Sequence, residues 1–268
     1  MGFLDGKMAV VAGAGSEFAF PLARTLAGAG ARLALVAGDQ RTALRASDCL
    51  QTDGIDAHAY AAGVTAKAVT QTLAAIVADL GQPHVLLTCP TDAFVAPSVS
   101  FPEDAFRAAF EGSTVHAFLW CQAVGRLMLE AGTGVIVNVS GLSGMGGWPG
   151  WAGQSAALAG VHNLTHTLAT EWSRFGVRVN CLVPGITEEE AARLMQTPEA
   201  PDMKSVLERI PLGRLVSYKD LGSALLYLVR PGASFISGEV LRVDGAWDVW
   251  GRYYAVDPLA RRQDSVRR

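Results

Sequence analysis

Short apolar runs alternate with segments of helical periodicity along most of this chain, and this alternation restricts the fold more than any other feature. Apolar runs of this kind are typical of strands that are buried on both faces of a sheet. Helical segments between them place each connection on a face of a parallel sheet. The sequence therefore predicts an α/β fold, a Rossmann-like doubly wound parallel sheet in a single domain. The predicted strands cover residues 7–12, 32–36, 57–61, 85–88, 134–139, 177–182 and 239–243.

Helical periodicity fills the intervals between the strands. Two of the predicted helices are long, and Gly54 ends another, as glycine commonly does. We expect one domain over residues 1–250, followed by a basic and polar tail over residues 251–268. The predicted helices cover residues 17–28, 42–53, 66–80, 104–130, 153–174, 203–209 and 218–228.

Composition excludes several classes of protein. The chain has 268 residues and a formal net charge of −3, so nothing suggests nucleic acid or an anionic membrane as a partner. No apolar stretch of about 20 residues predicts a membrane span. The N-terminus lacks the pattern of a signal peptide, and the four cysteines lie far apart, as reduced thiols do. We therefore expect a cytoplasmic protein.

Several short strings follow one another in an informative order. In this order they resemble the landmarks of the classical short-chain dehydrogenase/reductase family, and the resemblance covers essentially the whole chain. It implies a Rossmann-like sheet, a nicotinamide cofactor at the first turn and a catalytic Asn-Ser-Tyr-Lys tetrad. The strings are N-V-S at 138–140, L-A-T-E at 168–171, G-V-R-V-N at 176–180, P-G at 184–185, I-P-L-G-R at 210–214, F-I-S-G at 235–238 and V-D-G at 243–245.

The catalytic segment departs from the family. Residues 149–158 stand where the family carries P-G-x-x-x-Y-x-A-S-K, and Gln154 and Leu158 occupy the positions of the Tyr and the Lys. In the family the Tyr donates a proton, and the Lys lowers its pKa and holds the cofactor ribose. An amide is not an acid near neutral pH, and leucine supplies no charge. The resemblance places Ser113 at the Asn position and Gly141 at the Ser position, so the tetrad is degenerate throughout.

The cofactor positions show a similar loss. In the family's first turn, T-G-x-x-x-G-x-G, this chain keeps Gly13, whereas Glu17 and Ala19 replace the second and third glycines. A carboxylate at the N-terminus of a helix competes with a cofactor diphosphate for that place. We therefore expect no cofactor, with NAD(P) as the alternative. The other vestigial positions are Gly15 in the same turn, Ala37 and Gly38 after the second strand, Gly63 after the third, Thr88 at the fourth, and Pro184 and Gly185 after the sixth.

Other side chains remain candidates for a pocket. His162 and His166 share one helix face, as metal ligands do, but no third ligand has suitable spacing, so no metal is predicted. Two tryptophans flank Pro149 and Gly150 at the expected entrance of the pocket, where a small apolar or acyl ligand would bind. The run at 188–190 is interpreted as a solvated acidic run. The candidate pocket residues are His116, Ser140, Ser143, Trp148 and Trp151.

The chain lacks the catalytic and cofactor-binding residues of the family but keeps the strings that mark its fold. This combination favours a non-catalytic subunit, a pseudoenzyme-like member of the family. It would pair with an active paralogue, or with itself as a dimer or tetramer, through the two long helices. Acyl-CoA or aromatic catabolism is the suggested setting. Two alternatives stay open: a non-redox enzyme of lyase, isomerase or cyclase type, and a divergent NAD(P)-dependent oxidoreductase. A ligand-binding or regulatory module is a further hypothesis.

Overall fold

The apolar runs form one parallel sheet in the computed structural model, which describes residues 2–91, 94–195 and 202–249. The strand order is β3-β2-β1-β4-β5-β6-β7, and every pairing between neighbours is parallel. The strands are β1 (Met8–Ala12), β2 (Arg32–Ala37), β3 (Ala57–Ala61), β4 (Val85–Thr88), β5 (Gly134–Val139), β6 (Val177–Pro184) and β7 (Val240–Val243).

The order of the strands reverses between β1 and β4, and this reversal positions the site. In the register, Val10 of β1 lies opposite Ala34 of β2 and Leu86 of β4. In open α/β sheets, ligands bind beyond the carboxyl ends of the strands at such a switch point. The prediction of a single-domain, Rossmann-like doubly wound sheet is therefore confirmed.

Helices cover both faces of the sheet. On one face, α1, α2 and α9 pack side chains such as Leu26 and Leu228 against β1. On the other face, α3, α5 and α6 bring Ile76 and Trp120 against the same strands. The helices are α1 (Ala19–Gly28), α2 (Gln40–Thr52), α3 (Ala66–Leu80), α4 (Glu103–Phe110), α5 (His116–Ala131), α6 (Ala152–Trp172), α7 (Glu188–Leu194), α8 (Met203–Glu208) and α9 (Tyr218–Val229).

The predicted helix over residues 104–130 is interrupted. A π-helical turn, Glu111–Val115, separates α4 from α5. The Gly112 carbonyl accepts a hydrogen bond from the Thr91 amide at 3.1 Å, outside the helix. A Cβ at Gly112 would overlap the Thr91 hydroxyl. This close approach diverts one carbonyl from the α-helical ladder, so the wide turn forms here.

Two further points concern the ends of elements. The first helix begins at Ala19, two residues after the predicted start at Glu17. The predicted tail over residues 251–268 lies outside the described residues. Within the described part of the chain, no helix is both long and apolar enough to cross a bilayer.

Candidate functional site

A cavity of about 50 Å³ lies at the carboxyl ends of the central strands. It is bounded by the turn before α1, the segment after β5, the start of α6 and the helix α7. The polar and apolar side chains in its wall include Glu17, Ser140, Ser143, Gln154, Leu158 and Glu190.

Three of the four tetrad positions meet at this cavity. Gln154 and Leu158 are buried one helical turn apart on α6. A Cβ at Gly141 would lie 3.1 Å from Leu158 Cδ1, so leucine fills the space beside this glycine. The Oε1 atom of Gln154 is buried without a hydrogen-bond partner among the described residues. Gln154 thus contributes to the cavity wall and carries a buried acceptor whose hydrogen bond is not satisfied within the described part of the chain.

Ser113 and His116 lie behind the cavity wall, on the π-helical turn and at the start of α5. Ser113 Oγ and His116 Nε2 are both buried without a partner in the described part of the chain. Burial lowers the pKa of His116, which is neutral at neutral pH as a result. They form a second polar position close to, but separate from, the lining side chains.

Ser140 and His162 form a buried pair that the sequence did not predict. Ser140 Oγ lies 2.7 Å from His162 Nε2, and both side chains are buried. Burial, and then the charge of His166, lowers the pKa of His162, while a hydrogen bond to the Gly144 backbone opposes this shift. A Cβ at Gly144 would lie 2.8 Å from both His162 Cε1 and Leu158 Cβ, so only glycine leaves room for the imidazole.

The side chains of His162 and His166, which share one face of α6, have different environments. No group of three His, Cys, Asp or Glu side chains with metal-binding geometry occurs within residues 2–91, 94–195 and 202–249. His162 points into the core toward Ser140, whereas His166 is exposed.

Thr88 belongs to a satisfied polar network below the cavity. Its hydroxyl donates to Asn138 Oδ1 at 2.8 Å, and Asn138 Nδ2 donates to the Thr165 hydroxyl at 3.0 Å. The Cys121 thiol donates to the same Asn138 oxygen at 3.3 Å. These bonds join β4, β5, α5 and α6, so Thr88 supports the frame of the site from beneath.

The first turn, between β1 and α1, depends on glycine at position 13. Gly13 adopts φ +91°, and a Cβ there would overlap the Cys89 carbonyl oxygen. Only glycine accommodates both the conformation and the close approach. Ala37 is buried at the end of β2, whereas Gly15, Gly38 and Gly63 are exposed around the turn.

Glu17 occupies the space in front of α1. The residue precedes the helix, which begins at the buried Ala19, so it is not an acid of the first helical turn. Its Oε2 accepts a hydrogen bond from the Thr187 hydroxyl at 3.1 Å, and its Oε1 forms an ion pair with Arg193. Only 16% of the Glu17 side chain is exposed, which shows that α7 covers it.

The acidic run at 188–190 is not a solvated run throughout. It forms the first turn of α7, and Thr187 caps this helix by accepting a hydrogen bond from the Glu190 amide at 3.0 Å. Glu188 is exposed, but Glu190 is half-buried and lines the cavity. Burial first, and then the charge of Glu17, raises the pKa of Glu190 to about 7, although Arg193 opposes this.

The two tryptophans predicted at the entrance of the pocket, Trp148 and Trp151, pack against other aromatic side chains. Trp148 meets Trp151 in an edge-to-face contact and Trp247 in a tilted one, with ring centroids 5.7 and 5.9 Å apart. Trp151 is buried and contributes to the cavity wall. The cluster closes one side of the site.

Pro184 and Gly185 end β6 beside the final strand. The Gly185 amide donates to the Val243 carbonyl at 2.9 Å. A Cβ at Gly185 would lie 2.7 Å from Asp244 Cα, so glycine permits the close contact of these two chain segments. Pro184 also lines the cavity.

Known proteins match this chain over most of its length. The family model described as Enoyl-(Acyl carrier protein) reductase matches residues 13–247. A galactitol 2-dehydrogenase (L-tagatose-forming) from Cereibacter sphaeroides is 33% identical over 92% of this chain and 97% of its own. A gluconate 5-dehydrogenase from Gluconobacter oxydans is 32% identical over 90% of this chain and 94% of its own.

A solved structure agrees with these relatives. The gluconate 5-dehydrogenase from Burkholderia cenocepacia J2315, in complex with NADP and tartrate, has a TM-score of 0.85 and 26% identity. The match covers 92% of this chain and 97% of that one.

These relatives correct two predictions. The prediction of a non-catalytic, pseudoenzyme-like subunit is wrong, because relatives that are 32–33% identical across nine-tenths of the chain are named dehydrogenases. The prediction that no cofactor is used is also wrong, because a similar dehydrogenase holds NADP. Substitution of several motif residues did not justify either conclusion.

Proposed function

The chain belongs to the classical short-chain dehydrogenase/reductase family, and from this premise we propose that it is an oxidoreductase that interconverts a secondary alcohol and a ketone. Its redox partner in this proposal is a nicotinamide dinucleotide. The observation that carries the proposal is the carboxyl group of Glu190, with a pKa of about 7, in the wall of the cavity. Alcohol oxidation releases a proton and ketone reduction consumes one, so the site needs a group that exchanges protons near neutral pH.

Glu190 takes over the role of the missing acid in this proposal. With a pKa of about 7, the carboxyl populates both its protonated and its ionised form at neutral pH. General acid–base catalysis is most effective when the pKa lies near the working pH. The charge of Glu17 and the burial of the side chain hold the group in this range.

Gln154 orients the substrate oxygen. Its amide nitrogen donates hydrogen bonds and its unpartnered Oε1 accepts one, so the group binds either a carbonyl or a hydroxyl. Trp151 and Leu158 form apolar walls on either side and exclude water. Ser143, buried in the same wall, supplies a further hydroxyl.

The substrate class follows from the size of the cavity and from the relatives. A cavity of about 50 Å³ admits only the reacting end of a substrate, so the remainder lies toward solvent. The relatives are named for galactitol and gluconate. We therefore propose a polyol or a sugar acid, and a hydroxyacyl compound as the second class to be tested.

The residues at the first turn do not fit a nicotinamide dinucleotide in the conformation that the structure shows. The Gly13 turn has the backbone for a close approach, but Glu17 and Arg193 fill the space in front of α1. The diphosphate would also meet the negative charge of Glu17. Binding therefore requires that this ion pair separates.

The misfit also supports a second candidate function, a non-redox enzyme of lyase or isomerase type. The buried Ser140–His162 pair favours it, because a neutral imidazole 2.7 Å from a hydroxyl is the arrangement of a general base. Such an enzyme would use His162 and Gln154 without any redox partner.

The test is turnover by the full-length chain with NAD⁺ or NADP⁺ and a panel of galactitol, gluconate and a 3-hydroxyacyl thioester. We expect reduction of the nicotinamide with at least one of them. Glu190→Gln should lower kcat by about 100-fold or more, whereas Glu188→Gln, its exposed neighbour on α7, should keep the rate. No absorbance change in either direction, together with no binding of either cofactor at millimolar concentration, would overturn the proposal. Product formed without a nicotinamide would support the second candidate.

The proposal also covers the domain organisation, the location in the cell and the self-association of the protein. Residues 1–250 form one domain, and the protein is cytoplasmic. It associates with itself through α5 and α6, where Ala156 and Ala159 are exposed small residues that permit close approach of a second helix.

A further inference from the structure

Glu17 lies at the start of the first helix, in the wall of the cavity beyond the Gly13 turn. The N-terminus of a helix carries a partial positive charge that favours a negative group nearby. In α1 this charge is the main attraction, because the Ala19 amide already donates to the Ser16 carbonyl at 3.1 Å and Pro21 has no amide hydrogen. Glu17 directly precedes Phe18, the cap residue of α1. The chain thus supplies an anion of its own at the place where an external phosphate would bind.

Contacts from α7 hold this carboxylate in place. Thr187 donates to Glu17 Oε2 at 3.1 Å, and Arg193 pairs with Oε1. The Thr187 hydroxyl also accepts the Glu190 amide at 3.0 Å, so one side chain both caps α7 and fixes Glu17. The exposed fraction is 16% for the Glu17 side chain and 35% for that of Arg193.

Other groups near Glu17 make the place unfavourable for a second anion. Glu190 shares the cavity wall, and Tyr218 of α9 faces the carboxylates of Glu189 and Glu17. Burial, and then hydrogen bonding to Glu189, raises the pKa of Tyr218, so its phenol stays neutral. Arg193 forms an ion pair with Glu17, while Arg24 and Lys219 lie on the other side of Glu17, toward α1 and α9.

We propose that Glu17 is the residue that determines whether a dinucleotide enters the crevice, because its largely buried carboxylate lies in the cavity wall beyond the Gly13 turn and forms an ion pair with Arg193. The inference rests on the proposed function. Removal of the Glu17 side chain opens space beside the start of α1 and removes one carboxylate that pairs with Arg193, so that Arg193 can also interact with a phosphate. A diphosphate then meets one cation and one helix N-terminus instead of a carboxylate.

Three variants separate space, charge and the contribution of Arg193. Glu17→Gly removes both the side chain and the charge, Glu17→Gln removes only the charge, and Glu17→Gly combined with Arg193→Ala removes the released cation. The matched control is Glu188→Gln, which neutralises an exposed carboxylate on α7. Circular dichroism and thermal melting establish that each variant is folded.

Binding of NADH, NADPH, ADP-ribose and inorganic pyrophosphate is measured by calorimetry. Quenching of the fluorescence of Trp151, which lies in the cavity wall, is a second readout. Loss of one nearby like charge should strengthen binding of a phosphate compound by about tenfold or more. We expect this gain for Glu17→Gly, a smaller gain for Glu17→Gln, and loss of part of the gain when Arg193 is also replaced.

The possible failures can be told apart. If Glu17→Gly binds all four probes no more tightly than the original chain, the inference is overturned. If the original chain binds NADH as tightly as Glu17→Gly and turns over an alcohol, the inference fails and the proposed function stands. If Glu17→Gly gains affinity for pyrophosphate but neither protein oxidises an alcohol, the inference stands and the proposed function fails.

Discussion

Replacement of Glu190 by glutamine should remove a pH dependence of stability that this residue imposes on the fold. The pKa of Glu190 rises from 4.5 to about 7 on folding, first because of burial and then because of the charge of Glu17. Between these two values the unfolded chain has released its proton while the folded chain still holds it. The folded state therefore binds more protons, and stability falls as pH rises through this window.

The magnitude follows from the two pKa values. One pKa unit corresponds to about 1.4 kcal/mol, so the window from 4.5 to about 7 sets an upper limit of about 3 kcal/mol. Because the side chain is only half-buried, solvent screening reduces this cost to about 2 kcal/mol. Below pH 4.5 the group is protonated in both states and contributes nothing.

The assay is urea unfolding of the original chain and of Glu190→Gln at pH 5 and pH 8. At pH 8 the variant should be more stable by about 2 kcal/mol, and at pH 5 the difference should fall to less than about 1 kcal/mol. Glu188→Gln on the same helix turn should show no such dependence, since its side chain is exposed. A difference between Glu190→Gln and the original chain that stays constant across this pH range would refute the reasoning.

Three further substitutions test the packing of the site by urea unfolding at pH 7. Leu158→Lys should lower the free energy of unfolding by about 3 kcal/mol, because it places an ammonium group at a buried position, and this loss should shrink as pH rises toward 10. The control, Leu158→Met, should lower it by less than about 1.5 kcal/mol, and equal stability of the two variants would contradict the expectation. Gly144→Ala should lower the free energy of unfolding by about 1–3 kcal/mol, because the new Cβ would lie 2.8 Å from His162 Cε1. An unchanged midpoint of urea unfolding would show that the imidazole can move aside. Gly13→Ala should lower the free energy of unfolding by about 2–4 kcal/mol, because φ is +91° and the new Cβ would overlap the Cys89 carbonyl. A smaller loss than that of Gly146→Ala, a control at an exposed glycine, would show that the backbone at Gly13 is not restricted to glycine.

The sheet could be predicted from the sequence because its information is local. The strands are rich in apolar residues, and β1 is a continuous apolar run that is buried along its whole length. The long helix before β5 was predicted without its π-helical turn, since the cause is a contact between Gly112 and Thr91 from a distant segment. Hydrophobic periodicity indicates which face of a helix is apolar. It does not indicate that a backbone carbonyl makes its hydrogen bond outside the helix.

The site was predicted only in part, for the same physical reason. The positions of Gln154 and Leu158 follow from their place in a recognisable segment. The environment of Glu190 does not, because its pKa depends on Glu17, which is far away in the sequence. The Ser140–His162 pair likewise joins two elements 22 residues apart. The absence of motif residues can be recognised in the sequence, whereas the contacts and burial of the side chains around the cavity are defined only by the fold.

The charge in front of α1 and the proton at Glu190 are parts of one electrostatic system. Glu17 raises the pKa of Glu190, and Arg193 lowers it while pairing with Glu17. A change that removes the Glu17 carboxylate therefore lowers the pKa of Glu190 as well as opening the crevice, since a repelling charge is lost. If a phosphate then takes that place, it restores a negative charge near Glu190 and so restores the raised pKa. A neighbouring anion, whether it is the Glu17 carboxylate or an external phosphate, thus adds to the effect of burial in raising the pKa of Glu190.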